Sequence, residues 1–118
     1  FNGTLKIIGR DVSAPAIAMA RFVLSLAASD WSPAGKLDID LAVEDSLRVD
    51  LQACDILLMN PPFLSWNAMP SEQRELTRDL LGGLLQGRAD LSMVFVMRAL
   101  SALKKGGVLG ALIPASLL

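Results

Sequence analysis

Asn60, Pro61, Pro62 and Phe63 combine an amide, two prolines and an aromatic ring, directly after the apolar run 54–59. The prolines fix φ and carry no backbone N–H, so the carbonyl groups beside them face no competing donor. Asn60 adds a side-chain acceptor, and Phe63 adds a flat apolar face. Such a site could accept both protons of an exocyclic amino group and stack on its ring. The same residues could also form a stiff loop packed on the core.

Two carboxylates hold comparable positions earlier in the chain. Asp11 follows the apolar run 5–8, and Asp45 follows the alternating segment 37–43. Ligands of open α/β sheets bind beyond the carboxyl ends of the strands. Asp11 could therefore accept hydrogen bonds from ribose hydroxyls, and Asp45 from an adenine amino group. An Asp after a strand is often a turn or cap residue, but with Asn60 three successive predicted strands end in a polar group.

Alternating strands and helices are predicted to position these residues. Apolar periodicity and turn residues predict strands at 5–8, 37–43, 55–59 and 108–113, and helices at about 14–29, 71–81 and 90–103. The order β-α-β-β-α-α-β predicts an α/β fold with an open, mostly parallel sheet. Continuous apolar runs predict that the last two strands are buried on both faces, whereas the alternating second strand belongs nearer an edge.

The helix ends carry recognisable signals. Ser13 is predicted to cap the first helix and Ser71 the second. Gly82 and Gly83 are predicted to end or kink the second helix, and the Lys-Lys-Gly-Gly segment 104–107 to close the third. The core stripe of the first helix is predicted to comprise Ala16, Ile17, Ala20, Val23, Leu24 and Ala27.

Composition limits the class of protein. The chain has 118 residues, 53% of them hydrophobic, and a net charge of −1. No apolar run approaches the roughly 20 residues of a membrane span, so buried parallel strands explain the composition and no membrane is expected. The charge argues against a phosphate-binding surface carried by this segment alone. If the protein acts on nucleic acid, most of the backbone contacts are expected to come from another region.

Cysteine and histidine usage is sparse. The single Cys54 cannot form an internal disulfide, and the absence of His makes a zinc site unexpected. No metal is therefore predicted, and a reducing, cytoplasmic location is the natural expectation. Cys54 itself is expected to be a small core residue.

Taken in order and spacing, these motifs resemble the catalytic domain of the S-adenosylmethionine-dependent DNA adenine-N6 methyltransferases of restriction–modification systems. Segment 8–12 (Ile-Gly-Arg-Asp-Val) resembles the family's second-strand motif, and 44–47 (Glu-Asp-Ser-Leu) the third. Segment 60–63 resembles the catalytic motif in its Asn/Phe form, and 90–116 the following helix and strand. The resemblance covers nearly the whole chain and implies a Rossmann-like methyltransferase sheet.

The resemblance also implies roles on the cofactor side. S-adenosylmethionine is expected to contact Asp11 and Val12 after the first strand, and Asp45 and Ser46 after the second. Asp11 would bind the ribose and Asp45 the adenine of the cofactor. Asp90 matches a position near the base and cofactor pocket in relatives, although a helix N-cap explains it equally well.

On the substrate side, Asn60 and the carbonyl of Pro61 would accept hydrogen bonds from the target amino group. Phe63 would stack on the extruded adenine of double-stranded DNA, with Pro62 completing the motif. The implied partners are the DNA and a specificity or endonuclease subunit. Trp66 and Met69, just downstream, could form a base-pocket wall or a lid, although hydrophobic burial explains either residue alone.

One family feature is missing from the sequence. The family carries an Asp/Glu-x-Gly-x-Gly-type loop after its first strand, which lies in the sheet between the strands that end here at Asp11 and Asn60. Neither that loop nor a target-recognition region is found in residues 1–118. We therefore expect these residues to be a partial catalytic domain, internal to a longer enzyme. Alone, it should neither bind the cofactor tightly nor methylate.

Two alternatives remain open. Asn-Pro-Pro-Phe/Tyr also occurs in methyltransferases that act on the N2 amino group of RNA guanine or on a release-factor glutamine. A non-catalytic remnant that keeps the fold without the cofactor loop is the third possibility.

Overall fold

The computed structural model describes residues 3–30, 35–82 and 90–115. The elements within these ranges follow the predicted order: β1 (Thr4–Asp11), α1 (Ala14–Asp30), β2 (Lys36–Val43), β3 (Cys54–Met59), α2 (Ser71–Leu81), α3 (Leu91–Ala102) and β4 (Leu103–Ala111). A short 3₁₀ turn lies at Trp66–Ala68. The chain is mixed α/β and divides into two compact units, Phe1–Asp50 and Leu51–Leu118.

The first unit is a β-α-β arrangement. Strands β1 and β2 pair in parallel from Thr4 opposite Lys36 to Asp11 opposite Val43. Parallel neighbours need a crossover connection, which α1 supplies by packing on both strands. The alternation predicted for β2 holds only in its first half, where Leu37 and Ile39 are more buried than Lys36 and Asp38. Beyond Ile39 it is lost, because Asp40 and Ala42 are partly buried and Val43 is 51% exposed.

Helix α1 forms as predicted, but its core stripe is narrower. Ser13 caps it: the Ser13 Oγ accepts a hydrogen bond from Ala16 N at 3.3 Å. Ile17 is buried, and Ala20 and Leu24 are partly buried against the strands. The prediction that Val23 belongs to the core is wrong, because its side chain is 54% exposed. Ala16 and Ala27 are exposed as well.

The second unit is built on the parallel pair β3 and β4. Regular pairing runs from Ile56 opposite Val108 to Met59 opposite Ala111. Helix α3 packs on β4, and α2 packs on α3. The buried side chains of this unit come mainly from the two helices and the loop before them: Met69, Thr77, Leu81, Leu91, Ser92, Val94, Ala99 and Ala102.

One face of this sheet remains open among the described residues. Ile56 is 65% exposed, Leu58 78% and Val108 60%. The prediction that both last strands are buried on both faces is therefore wrong for this part of the chain. Helix α3 packs on β4, and the alternate residues Leu57 and Leu109 are partly buried. The described residues form two small parallel pairs, β1–β2 and β3–β4.

The ends of the last two helices differ in part from prediction. Pro70, not Ser71, is the N-cap of α2, and no side-chain hydrogen bond caps it. Gly82 ends α2 at φ 52°, as predicted. Segment 104–107 does not close α3; the helix ends at Ala102 and β4 begins at once. Leu103 pairs with Cys54, and the segment forms a bulge before regular pairing resumes.

None of the helices in the described ranges is long and apolar enough to cross a membrane.

Candidate functional site

In the first unit, Asp11 is the last residue of β1 and opens the turn into α1. Its Oδ1 accepts a hydrogen bond from Ser13 N at 2.7 Å, and its backbone carbonyl accepts one from Glu44 N at 3.0 Å. No described residue donates to Asp11 Oδ2. The adjacent Val12 side chain is 72% exposed. Asp11 therefore shapes the turn and keeps free acceptor capacity beside an apolar surface.

Asp45 lies two residues beyond the end of β2 and organises a second turn. Its Oδ1 accepts from Leu47 N at 2.9 Å, and its Oδ2 lies 3.4 Å from Arg48 Nε. The backbone closes the turn with a bond from Arg48 N to the Asp45 carbonyl at 2.9 Å. Ser46 is partly buried within it. Both carboxylates thus follow adjacent parallel strands at their carboxyl ends, as predicted.

Arg10 links the ends of these two strands, a role that the sequence motifs did not predict. Its guanidinium pairs with both Asp40 carboxylate oxygens at 3.1 and 2.9 Å, and its Nε lies 2.8 Å from Glu44 Oε2. The hydrogen bond from Arg10, more than its charge, holds the pKa of Asp40 below the ordinary value. The available signal was an arginine near the end of the first predicted strand, together with acidic residues in and just after the second, at Asp40 and Glu44.

The carboxylates of the first unit keep unused hydrogen-bond acceptor capacity. Each carboxylate oxygen can accept two hydrogen bonds. Asp11 uses one of its four possible hydrogen bonds to accept from Ser13 N. The remaining three are enough to accept hydrogen bonds from both hydroxyls of a vicinal diol. Asp45 is more heavily used, by Leu47 N and Arg48, but it retains capacity for one amino group. Exposed Val12 offers apolar surface to a ring.

In the second unit, residues 60–63 follow β3 directly. Pro61 is buried, whereas Asn60 and Pro62 are exposed and Phe63 is 57% exposed. No described residue forms a hydrogen bond with the Asn60 side chain or the Pro61 carbonyl. Proline contributes no donor of its own here. The motif therefore presents two acceptors and a ring surface.

Backbone hydrogen bonds hold the motif on both sides. Leu112 N donates to the Met59 carbonyl at 3.1 Å, just before Asn60. Leu91 N donates to the Leu64 carbonyl at 2.9 Å, just after Phe63. These donors stand at the start of α3 and the end of β4, which form one continuous helix–strand segment.

An open depression of about 510 Å³ lies at the carboxyl ends of β3 and β4. Its lining is apolar apart from Asn60: Leu58, Met59, Asn60, Gly110, Ala111 and Leu112. Gly110 makes room for Leu58, because a Cβ on Gly110 would lie 2.8 Å from Leu58 Cδ2. Sequence reasoning did not single out Gly110, although a glycine inside an apolar strand signals a close approach.

The downstream residues have structural roles. Asp90 caps α3, and its Oδ1 accepts from both Ser92 N and Ser92 Oγ at 2.9 Å. Met69 is buried, with the Thr77 hydroxyl 3.8 Å from its sulfur, so burial rather than a lid accounts for it. Trp66 is partly buried beneath the guanidinium of Arg78.

Cys54 is partly buried, with its Sγ 3.9 Å from the Ala102 carbonyl. In the part of the chain that the structure describes, no group of three or more His, Cys, Asp or Glu side chains could hold a metal ion.

Comparison of the sequence with protein-family models gives no match, and comparison with curated proteins gives none either.

Proposed function

We propose that this chain is part of a Rossmann-like methyltransferase domain, and that its enzyme transfers a methyl group from S-adenosylmethionine to the N6 amino group of adenine in DNA. One observation carries the proposal. The Asn60 side chain and the Pro61 carbonyl are free of described donors, and they stand beside exposed Phe63 and an apolar depression at a strand end.

The two acceptors address the difficulty of this chemistry. An aromatic amine is a weak nucleophile because its lone pair is delocalised into the ring. Hydrogen bonds from the amine to Asn60 Oδ1 and the Pro61 carbonyl favour a pyramidal nitrogen and stabilise the positive charge that develops on it. They also hold its N–H groups in place, and one proton passes to water after the new N–C bond has formed. Positioning supplies most of the remaining rate enhancement.

Phe63 supports the base that must leave the duplex. Extruding a nucleotide costs a few kcal/mol, and stacking on an aromatic ring returns about 1–3 kcal/mol per base. The ring follows the two prolines, which limit the backbone conformations available to the loop. Phe63 therefore offers a surface that is in place before the base arrives.

The first unit supplies the cofactor contacts in this proposal. Asp11 binds the ribose diol and Asp45 the adenine amino group, with Val12 packing on the ring and Ser46 lying beside it. When bound, S-adenosylmethionine supplies an electrophilic methyl group on a sulfonium, which is a good leaving group. A covalent enzyme intermediate is not required, so the proposal gives no nucleophilic role to Cys54, which is partly buried.

The test is methyl transfer from tritiated S-adenosylmethionine by the protein, expressed with any coding sequence that flanks residues 1–118 in its natural gene. Duplex DNA, ribosomal RNA and release factor are offered in parallel. Label recovered as N6-methyladenine in DNA is the expected result. Label confined to guanine N2 in RNA, or to release-factor glutamine, would reassign the substrate, whereas no label in any of the three would indicate a non-catalytic remnant.

Asn60→Ala tests the residue assignment. Loss of one charge-stabilising acceptor should lower kcat by about 10²–10³-fold. Asn67→Ala is a matched control, because Asn67 is exposed in the same unit and is used through its backbone carbonyl rather than its side chain. Equal activities of the two variants would contradict the role of Asn60.

A further inference from the structure

The guanidinium of Arg78 in α2 lies over the ring of Trp66. Its Cζ lies 5.6 Å from the ring centroid, and the residue is exposed. Trp66 stands in the 3₁₀ turn three residues after Phe63. Three residues span at most about 10 Å, so the guanidinium is anchored close to the ring that receives the base in the proposed function.

The geometry leaves the hydrogen-bonding capacity of Arg78 unused. A guanidinium stacks through its flat face, while its five N–H donors lie along the edge in an arrangement that matches a phosphate. Among the described residues, Arg78 forms neither an ion pair nor a side-chain hydrogen bond. Within the described ranges, Arg78 is therefore a cation held over an aromatic ring with no acidic partner.

Arg74 and Arg78 are four residues apart and therefore share one stripe of α2. Glu72, Glu75 and Asp79 follow one another at spacings of three and four and form a second stripe. Glu75, three residues before Arg78, is its neighbour on the helix surface, but none of the ion pairs among the described residues joins the two side chains.

Arg74 holds the turn in place. Its Nη2 donates to the Asn67 carbonyl at 3.1 Å, and its Nε is buried. This bond ties α2 to the residue after Trp66. We therefore regard Arg74 as a residue that positions the turn, and Arg78 as the residue that is available to contact an anionic ligand.

We propose that Arg78, oriented by Trp66, binds a phosphate of the single-stranded DNA segment next to the extruded base. The proposal rests on the proposed function, because that function supplies the base on Phe63 and so the strand beside it. An aromatic ring and an arginine side by side are the means by which proteins bind single strands without sequence preference.

The experiment measures binding of a fluorescein-labelled ten-nucleotide single-stranded DNA to the 118-residue chain by anisotropy, between 20 and 150 mM NaCl. Arg78→Ala should weaken binding about fivefold to tenfold at low salt. It should also reduce the slope of log K against log[salt] by about 0.7, the value for one phosphate on a single strand. Arg78→Lys should keep the slope and lose part of the affinity, because it retains the charge but not the planar fork.

Lys105→Ala is the matched control, since Lys105 is an exposed cation in the β4 bulge. Circular dichroism of each variant establishes that it is folded. If Arg78→Ala and Lys105→Ala shift the affinity equally and leave the slope unchanged, or if no variant changes weak binding, the proposal is overturned. In a Trp31→Phe background, DNA should also change the emission of Trp66, and an unchanged spectrum would count against the site.

The two proposals fail separately. DNA binding that depends on Arg78, without methyl transfer, would contradict the proposed function and support a DNA-binding site at Arg78. Methyl transfer to DNA whose KM for DNA is unaffected by Arg78→Ala would support the proposed function and contradict the role of Arg78.

Discussion

Arg10 Nε lies 2.8 Å from Glu44 Oε2, and this ion pair joins the residue before Asp11 to the residue before Asp45. The two proposed cofactor carboxylates are thus fixed by one side chain that would not itself touch the cofactor. Arg10 also pairs with Asp40, so its guanidinium serves two carboxylates at once.

Replacing Arg10 should destabilise the first unit. Arg10→Gln removes the ion pairs with Asp40 and Glu44, and we expect the free energy of unfolding to fall by about 1–2 kcal/mol, limited by the partial exposure of the two acids. Urea denaturation measures the change. Lys36→Gln, at the exposed start of β2, should shift stability by less than about 0.5 kcal/mol. Equal effects would contradict the role of Arg10.

Acid should weaken the same ion pair. Because the hydrogen bond from Arg10 lowers the pKa of Asp40 below 3.8, the folded state favours the charged carboxylate. The resulting stabilisation is complete above pH 3.8 and is lost as the pH falls through the lower folded-state pKa. The Tm of the parent chain should therefore fall more steeply between pH 4 and pH 2.5 than that of Asp40→Asn. Parallel curves in this range would refute the coupling.

Two glycines of β4 should respond differently to alanine. A Cβ on Gly107 would lie 2.9 Å from the Asp55 carbonyl oxygen, which is backbone and cannot move aside. A Cβ on Gly110 meets the end of Leu58, an exposed side chain that can change rotamer. Gly107→Ala should destabilise by about 1–3 kcal/mol and Gly110→Ala by clearly less. Thermal unfolding of the two variants decides the order, and the reverse order would contradict the packing described.

Asp90 should matter as a helix cap. Asp90→Ala removes the acceptor for Ser92 N and Ser92 Oγ, and we expect a loss of about 1 kcal/mol in unfolding free energy. Asp90→Asn keeps a side-chain oxygen in the same place and should lose much less. If the two variants are equally destabilised in urea, the negative charge rather than the cap geometry is responsible.

Sequence periodicity predicted the elements well because it reports local structure. The spacing of apolar residues in 14–29 and 71–81 predicted two helices that the structure confirms with nearly the same bounds. Asp11, Asp45 and Asn60 were expected at or just after strand ends, and they lie there. These predictions depend on neighbours in the chain, which the sequence lists directly.

The errors arose where tertiary pairing overrides a local rule. Lysines followed by glycines commonly stop a helix, yet α3 stops earlier because Leu103 pairs with Cys54 in the sheet. The apolar runs of β3 and β4 predicted burial on both faces, but burial depends on what covers each face, and Ile56 and Leu58 are exposed. The Arg10 network was missed for the same reason, because its acceptors Asp40 and Glu44 lie about 30 residues away.

The bonds from Leu112 N to Met59 and from Leu91 N to Leu64 use backbone atoms alone. No side-chain substitution within 60–63 deletes either hydrogen bond. The loop is therefore ordered before a ligand binds, and the binding free energy need not offset the entropy cost of ordering it. The Asn60→Ala variant should accordingly keep the shape of the site while losing one acceptor. Slow exchange of the Leu91 and Leu112 amide protons would report that rigidity directly, in the parent chain and in the variant alike.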